Sequence, residues 1–190
     1  MTQITIHGFA PSTYTRTARM AAVELGVDHA LVPLAFGKPE HLELHPFGKM
    51  PVLTHDDETI FETLAIVMYL DRTFGDGTLF RDGSLVRNLQ TISVANDYAY
   101  KPVVHVEKGN DDQRAKAGGV FDWLEKQLAN STYLAGPEFG AADLFVAPML
   151  DYHIHEAGSD HLWSGRPKLR AWFESVSGRP SFCDTGANSS

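Results

Sequence analysis

The chain has 190 residues, enough for one large domain or two small ones. Hydrophobic residues make up 43% and charged residues 21%, an ordinary globular balance that argues against disorder. The net charge is -8 and no Lys/Arg run or basic stripe occurs. A nucleic acid or an anionic membrane is therefore not the expected partner, because phosphate affinity needs clustered cations.

In chain order, Gln3 to His7 alternates polar and apolar residues with β-branched members, which predicts a strand ending at Gly8. The stretch from Met1 carries neither the basic charge nor the apolar core of a targeting segment. Pro11-Ser12-Thr13 offers a helix start. Ala18, Ala21, Ala22 and Leu25 then recur at helical spacing until Gly26, the residue expected just past a helix end. His29 to Leu34 reads as a second strand. This makes strand, helix and strand within about thirty residues, the size of a βαβ unit.

A short helix is expected around Glu40 to Leu44, followed by the turn His45-Pro46-Phe47-Gly48. Val52 to His55 and Thr59 to Phe61 read as a hairpin around the acidic turn Asp56-Asp57-Glu58. Glu62 opens a buried helix reaching Phe74, stopped by Gly75-Asp76-Gly77. The longest apolar run, Leu64 to Leu70, falls far short of a bilayer span.

The character changes after Gly77. Residues 75 to 84 are loop-like, and beyond them strand alternation gives way to helical spacing. Leu85, Leu89 and Ile92 mark one helix, and Ala117, Val120, Phe121, Leu124 and Leu128 a second. Ala141 to His155, kinked by Pro148, and Lys168 to Val176 make at least four, and Gly186 to Ser190 reads as a frayed tail. The prediction is an α/β domain over residues 1–76, a linker over 77–83 and an all-helical domain over 84–190.

One cysteine, Cys183, excludes an intramolecular disulfide and any Cys-x-x-Cys pair, and points to the cytoplasm. The sequon Asn130-Ser131-Thr132 is therefore not expected to be glycosylated. His41 and His45 are four apart, but the helical zinc motif needs a Glu after the first His and Leu42 stands there. His153 and His155 point to different helix faces, so no metal site is expected. Nucleotide-binding glycine motifs do not occur either.

Three segments carry a resemblance. Ala10-Pro11-Ser12-Thr13-Tyr14-Thr15-Arg16, His45-Pro46-Phe47-Gly48-Lys49-Met50-Pro51-Val52-Leu53 and Phe61-Glu62-Thr63-Leu64-Ala65-Ile66 resemble, in order and spacing, the signature segments of cytosolic glutathione transferases. Phe139-Gly140-Ala141-Ala142-Asp143-Leu144 and Arg179-Pro180-Ser181-Phe182 resemble the family's second domain. The likeness is to the serine-type branch (phi-, theta- or bacterial-like) and covers nearly the whole chain. It implies a thioredoxin-like glutathione-binding domain followed by a helical-bundle domain, with no cofactor and glutathione as co-substrate.

The resemblance makes Ser12 the hydroxyl that holds the glutathione thiol as a thiolate. A free thiol, with a pKa of about 8.5, is mostly protonated at neutral pH. A hydroxyl donating to sulfur and a helix N-terminus aimed at it both favour the anion. Read from the residues alone, Ser12 is first of all an N-cap, and Thr13, Tyr14 and Thr15 are competing hydroxyls. The end of the first strand reads His7-Gly8-Phe9, so the phenol of the tyrosine-type branch is missing, as is the cysteine of the cysteine-type branches.

By the same resemblance Pro51 is cis and Met50 pairs through its backbone with the cysteinyl residue of glutathione. A trans proline in a plain turn is the residue-level alternative. Thr63 and its N–H would hold the γ-glutamyl carboxylate and Glu62 place the ammonium; the alternative is an acidic residue complementing a helix dipole. Lys38 and Lys49 are candidates for the glycyl carboxylate or simply solvated surface lysines. Phe47 resembles the family's dimer key, an aromatic inserted into the partner's helical domain, or else is an intramolecular core residue.

Phe9, Tyr98, Tyr100 and His105 are nominated for the pocket of a hydrophobic electrophile, which the short segment after Val106 would leave shallow. Gly140 cannot supply the side-chain half of the family's Ser/Thr-x-x-Asp box, while Asp143 can still reach back to the Gly140 N–H. The function implied is transfer of the glutathione thiol to electrophiles, in detoxification, by a cytoplasmic homodimer. The alternatives are glutathione-dependent peroxidase, isomerase or dehalogenase chemistry, or a non-catalytic binding scaffold.

Overall fold

The computed structural model describes residues 3–105 and 110–186. The expected tail beyond Gly186 and the short segment from Val106 to Gly109 lie outside the described residues. The chain divides into two compact units, residues 1–78 with 180–190, and residues 79–179.

The first unit holds strand β1 (Ile4–His7), helix α1 (Thr13–Glu24), strand β2 (His29–Val32), helix α2 (Pro39–Leu44), the hairpin β3 (Val52–His55) and β4 (Glu58–Phe61), and helix α3 (Thr63–Phe74). The strand order is β2-β1-β3-β4, with β1 parallel to β2 and the other pairs antiparallel. This is the expected βαβ unit followed by a ββα unit, the thioredoxin-like arrangement. β2 stops at Val32, two residues before the predicted end, because Pro33 has no N–H for the ladder. The hairpin turns on two residues, Asp56 and Asp57, with Asp56 at φ 52, a left-handed conformation that Asp tolerates.

The core of this unit is the face of the sheet that bears Ile4, Ile6 and Leu53, covered by Met20 of α1 and Ile66, Val67 and Leu70 of α3. Gly8 lets β1 approach α1: a Cβ there would sit 2.4 Å from Thr15 Oγ1. The closing helix α9 (Pro180–Cys183), expected with the helical domain, packs on α1 in this unit instead. Arg16 explains the docking. Its guanidinium lies 3.9 Å from the centre of the Phe182 ring and Nη2 donates to the Phe182 carbonyl at 2.9 Å.

Among the described residues, the second unit is helical: α4 (Leu85–Val94), α5 (Asp111–Gln127), α6 (Ala141–Ala157), α7 (Asp160–Trp163) and α8 (Pro167–Ser177). A π-helical segment, Ala95–Val104, continues α4, and α5 and α6 pack against it. It contains Pro102, and the widened turn lets the chain continue past a residue with no N–H. Pro148, predicted to kink its helix, lies inside the single helix α6.

The start of α6 is fully accounted for. Ala141 N–H donates to the Leu79 carbonyl at 3.0 Å, and Ala142 N–H to Asn88 Oδ1 at 2.8 Å. Asp143 Oδ2 accepts the Gly140 N–H at 2.9 Å, the predicted reach-back, while Oδ1 accepts Leu134 N–H at 3.0 Å and Trp172 Nε1–H at 2.7 Å. Asn88 thus supplies the side-chain cap that Gly140 lacks. A Cβ at residue 140 would meet the Leu79 carbonyl at 3.1 Å and Asn88 Oδ1 at 3.2 Å, so the two capping solutions compete for one space.

Candidate functional site

Ser12 is the N-cap of α1, extended at φ -68 and ψ 124. Its N–H donates to the Phe9 carbonyl at 3.0 Å, and its Oγ accepts the Thr15 N–H at 3.3 Å. The cap and the catalytic reading are compatible. A hydroxyl that accepts from a backbone N–H still has its own proton to give, and the accepted bond fixes where that proton can point. Ser12 is half-buried, whereas Thr13 and Thr15 are buried. Tyr14 is half-buried as well. His7, at the end of β1, is engaged across the sheet by Thr54 Oγ1 at 2.9 Å, and burial lowers its basicity.

The peptide bond between Met50 and Pro51 is cis, and β3 begins just after it at Val52. Thr63 is buried at the first position of α3, with Glu62 as its N-cap. Glu62 adopts φ 70, which costs a residue with a Cβ on the order of 1–3 kcal/mol and persists only where the surroundings impose it. Its carboxylate is 67% exposed and stands 4.0 Å from His45 Nε2.

Lys38 is exposed at the N-cap of α2, and Lys49 is exposed just before Met50. One buried side chain ties their segments together: His41 Nδ1 accepts the Gly37 N–H at 3.1 Å, and Nε2 donates to the Lys49 carbonyl at 2.8 Å. His45 is also buried, with Nδ1 accepting the Phe47 N–H at 3.3 Å. Both histidines therefore have ring lone pairs committed to backbone donors. Burial holds His45 below the usual histidine range, opposed by the Glu62 carboxylate. Among the described residues, no three His, Cys, Asp or Glu side chains are grouped to hold a metal ion.

Phe47 is 72% exposed, touching Phe61 edge-on at 6.4 Å, so the core of its own unit does not absorb it. Phe9 is exposed and 6.5 Å from Phe36, itself exposed, with its ring tilted against that of His41 at 4.9 Å between centres. Phe36 was not among the residues the sequence nominated; an aromatic flanked by Ala35 and Gly37 was the available signal. In the helical unit Tyr98 is exposed and Tyr100 meets His105 edge-on at 4.9 Å. Burial, with Tyr152 nearby, pushes the Tyr100 phenol up.

Comparison with known proteins bears on this arrangement. The model of the glutathione S-transferase N-terminal domain matches residues 2–72, and that of the C-terminal domain matches residues 106–175. "Glutathione S-transferase PM239X14" of Arabidopsis thaliana is 33% identical over 91% of this chain and 91% of its own length. "Glutathione S-transferase 4" of Zea mays is 30% identical over 94% of this chain and 89% of its own. The chain belongs to the glutathione S-transferase family.

Solved structures agree. Glutathione transferase F7 from Populus trichocarpa superposes with a TM-score of 0.87 at 27% identity, covering 97% of this chain and 99% of that one. A glutathione S-transferase-I solved with lactoylglutathione bound gives 0.86 at 25% identity, with 97% and 99% covered. The match to glutathione S-transferases takes in both units, and the segments carrying Ser12, Met50-Pro51 and Glu62-Thr63 all fall inside the matched N-terminal domain.

Proposed function

We propose that this glutathione S-transferase activates the glutathione thiol with Ser12 and adds it to apolar electrophiles. The observation that carries the assignment is the cap geometry: Ser12 Oγ uses a lone pair on Thr15 N–H and keeps its proton for a sulfur anion at the start of a twelve-residue helix. The thiol proton leaves to water, the thiolate lone pair forms the S–C bond, and the leaving group departs with the bonding electrons. Where there is none, the carbanion takes a proton. The rest of the peptide is held by Met50 through its backbone beside Pro51, by Thr63 at the N-terminus of α3, and by Glu62 facing the ammonium. Lys38 and Lys49 are the candidates for the glycyl carboxylate.

Phe9, Tyr98, Tyr100 and His105 are the proposed aromatic contacts of the electrophile. Phe47 is the proposed dimer key, supported by its exposure in its own unit. Among the described residues no helix is long and apolar enough to cross a membrane. On the likeness to glutathione S-transferases we place the protein in the cytoplasm, working without a metal or organic cofactor.

Calorimetric titration with glutathione tests the reading. Wild type should bind without added metal, Glu62→Ala should bind more weakly than Lys38→Ala, and a panel of electrophiles should be conjugated. A misplaced ammonium in a partly closed site costs more than one exposed charge. A wild type that gives no heat with glutathione would sink the proposal.

A further inference from the structure

The segment from His45 to Phe47 and the N-cap of α3 meet through one ring. His45 closes α2, its N–H donating to the His41 carbonyl at 2.8 Å, and its own carbonyl accepts the Gly48 N–H at 2.8 Å. Its backbone is thereby held on both sides. Its Nδ1 accepts the Phe47 N–H at 3.3 Å. A ring nitrogen that accepts carries no proton, so the neutral imidazole is the Nε2–H tautomer. That N–H is on the side of Glu62, whose Oε1 is 4.0 Å away, beyond hydrogen-bond length but within reach of the ring dipole. The same ring lies 4.8 Å from Phe61, the residue just before Glu62, and Phe61 in turn touches Phe47.

Glu62 is sensitive to this contact. At φ 70 its backbone is held in a conformation an L residue resists, so the direction of its side chain depends on what packs around it. A displaced Phe47 backbone removes the donor on Nδ1, and the imidazole then no longer has one fixed tautomer or plane. The Glu62 carboxylate would lose the dipole that faces it.

We infer that His45 is a positioning residue that couples the exposed anchor Phe47 to the γ-glutamyl end of the glutathione site at Glu62. This rests on the proposed roles of those two residues. Seating Phe47 in a second copy of the chain restrains the backbone whose N–H already sits on His45 Nδ1, and so holds the ring, and Glu62 beside it, in the arrangement that receives the ammonium of glutathione. Because binding linkage is reciprocal and the homodimer has two sites, glutathione must then tighten the dimer by the square of the factor by which dimerisation tightens each site.

The experiment is sedimentation of wild type across a dilution series, with and without saturating reduced glutathione, alongside calorimetry of glutathione binding. Glutathione should lower the dimer dissociation constant about 5-fold or more, the lower end of ordinary coupling. His45→Asn puts an amide oxygen where Nδ1 stands, which keeps the acceptor for Phe47 N–H and gives up the reach to Glu62. It should dimerise like wild type without glutathione, show a linkage factor near one, and raise KM for glutathione at unchanged kcat. A residue that merely fills space or caps α2 would not separate these readouts.

A wild-type dimer constant indifferent to glutathione overturns the inference, as does full linkage in His45→Asn. Should His45→Asn fail to fold by circular dichroism, Glu62→Gln decides, at glutathione concentrations that calorimetry shows to saturate that variant: linkage that survives there overturns the coupling, and linkage that vanishes at full occupancy supports it. A wild type that never dimerises, or never binds glutathione, overturns the underlying reading and the coupling with it; the two titrations tell these apart.

Discussion

Helix α1 begins at Ser12 with a half-buried hydroxyl that takes one backbone N–H, whereas α6 begins at Gly140 with each of its first three amide protons taken inside the helical unit. The same local problem, orphan donors at a helix start, has two solutions. At α6 four oxygen acceptors from Leu79, Asn88 and both arms of Asp143 converge, and the Asn88 and Asp143 side chains are buried. At α1 the cap is a single neutral oxygen whose proton is uncommitted by the capping bond. A helix start assembled for folding buries its acceptors as carboxylate and amide. On the proposed function, the start of α1 keeps a weaker cap that a ligand can join.

The comparison is broken most severely at Asp143. Asp143→Ala strands the N–H groups of Gly140, Leu134 and Trp172 in the interior, and unsatisfied buried donors cost about 1–3 kcal/mol each. A loss of about 3 kcal/mol or more is expected from urea unfolding. Burial pushes the Asp143 carboxyl up to about 6, against the hydrogen bonds, those from Leu134, Gly140 and Trp172 among them, that favour its anion. With the folded value above the unfolded one, the native state holds the proton more tightly. Its contribution is fully present below about pH 4, declines as pH rises from about 4 to 6, and is flat above. The stability of wild type minus that of Asp143→Asn, followed by urea melts over this range, should therefore fall with pH. A difference that rises would mean that the donors outweigh burial.

At α1 the expected damage is to rate. Loss of one charge-assisted bond of roughly 1.5–3 kcal/mol should lower conjugation about 10- to 100-fold at pH 7 in Ser12→Ala. Folding should lose only the cap, about 0.5–2 kcal/mol. The pKa of bound glutathione, read from thiolate absorbance, should rise while its affinity stays within a few-fold. The rate deficit should shrink above the free thiol pKa, where water removes the proton unaided. If Tyr14→Phe or Thr13→Ala abolishes the shift and Ser12→Ala keeps it, the hydroxyl has been assigned to the wrong neighbour. Phe47→Ala sits lower in the order, with a dilution-dependent shift toward monomer of about 2 kcal/mol by light scattering. A dimer unchanged on dilution would leave Phe47 without the anchor role.

What the sequence made legible was local. The strand of β1, the N-cap at Ser12, the hairpin at Asp56-Asp57 and the start at Glu62 each follow from a few adjacent residues, and each lies where expected. What it hid was long-range. Nothing near Gly140 announces Asn88, 52 positions earlier, as its substitute cap, and nothing near Pro180 announces Arg16 as the base on which α9 docks. The π-helical turn around Pro102 was hidden for another reason: helical periodicity does not distinguish a widened turn from an ordinary one. The positive φ of Glu62 occurs at a residue type that gives no backbone signal, unlike Gly or Asn.

The smallest effect expected is the most diagnostic of the capping exchange at α6. Asn88→Ala leaves Ala142 N–H without its acceptor and also removes the donor to the Ser84 carbonyl at 3.2 Å, so a loss of about 1–2 kcal/mol is expected. Gly140→Ser alone should not stabilise the protein, because its Cβ meets the Leu79 carbonyl and Asn88 Oδ1 inside ordinary contact distance. In the Asn88→Ala background the second of those obstacles is gone and a hydroxyl is again the nearest available cap. There Gly140→Ser should recover a part of the loss, about 0.5–1 kcal/mol, so that the two substitutions are non-additive with favourable coupling. Chemical denaturation of the four proteins in this cycle measures it directly. Simple additivity would show that Asn88 is held for its contact with Ser84, and that the glycine at the start of α6 answers to the Leu79 carbonyl alone.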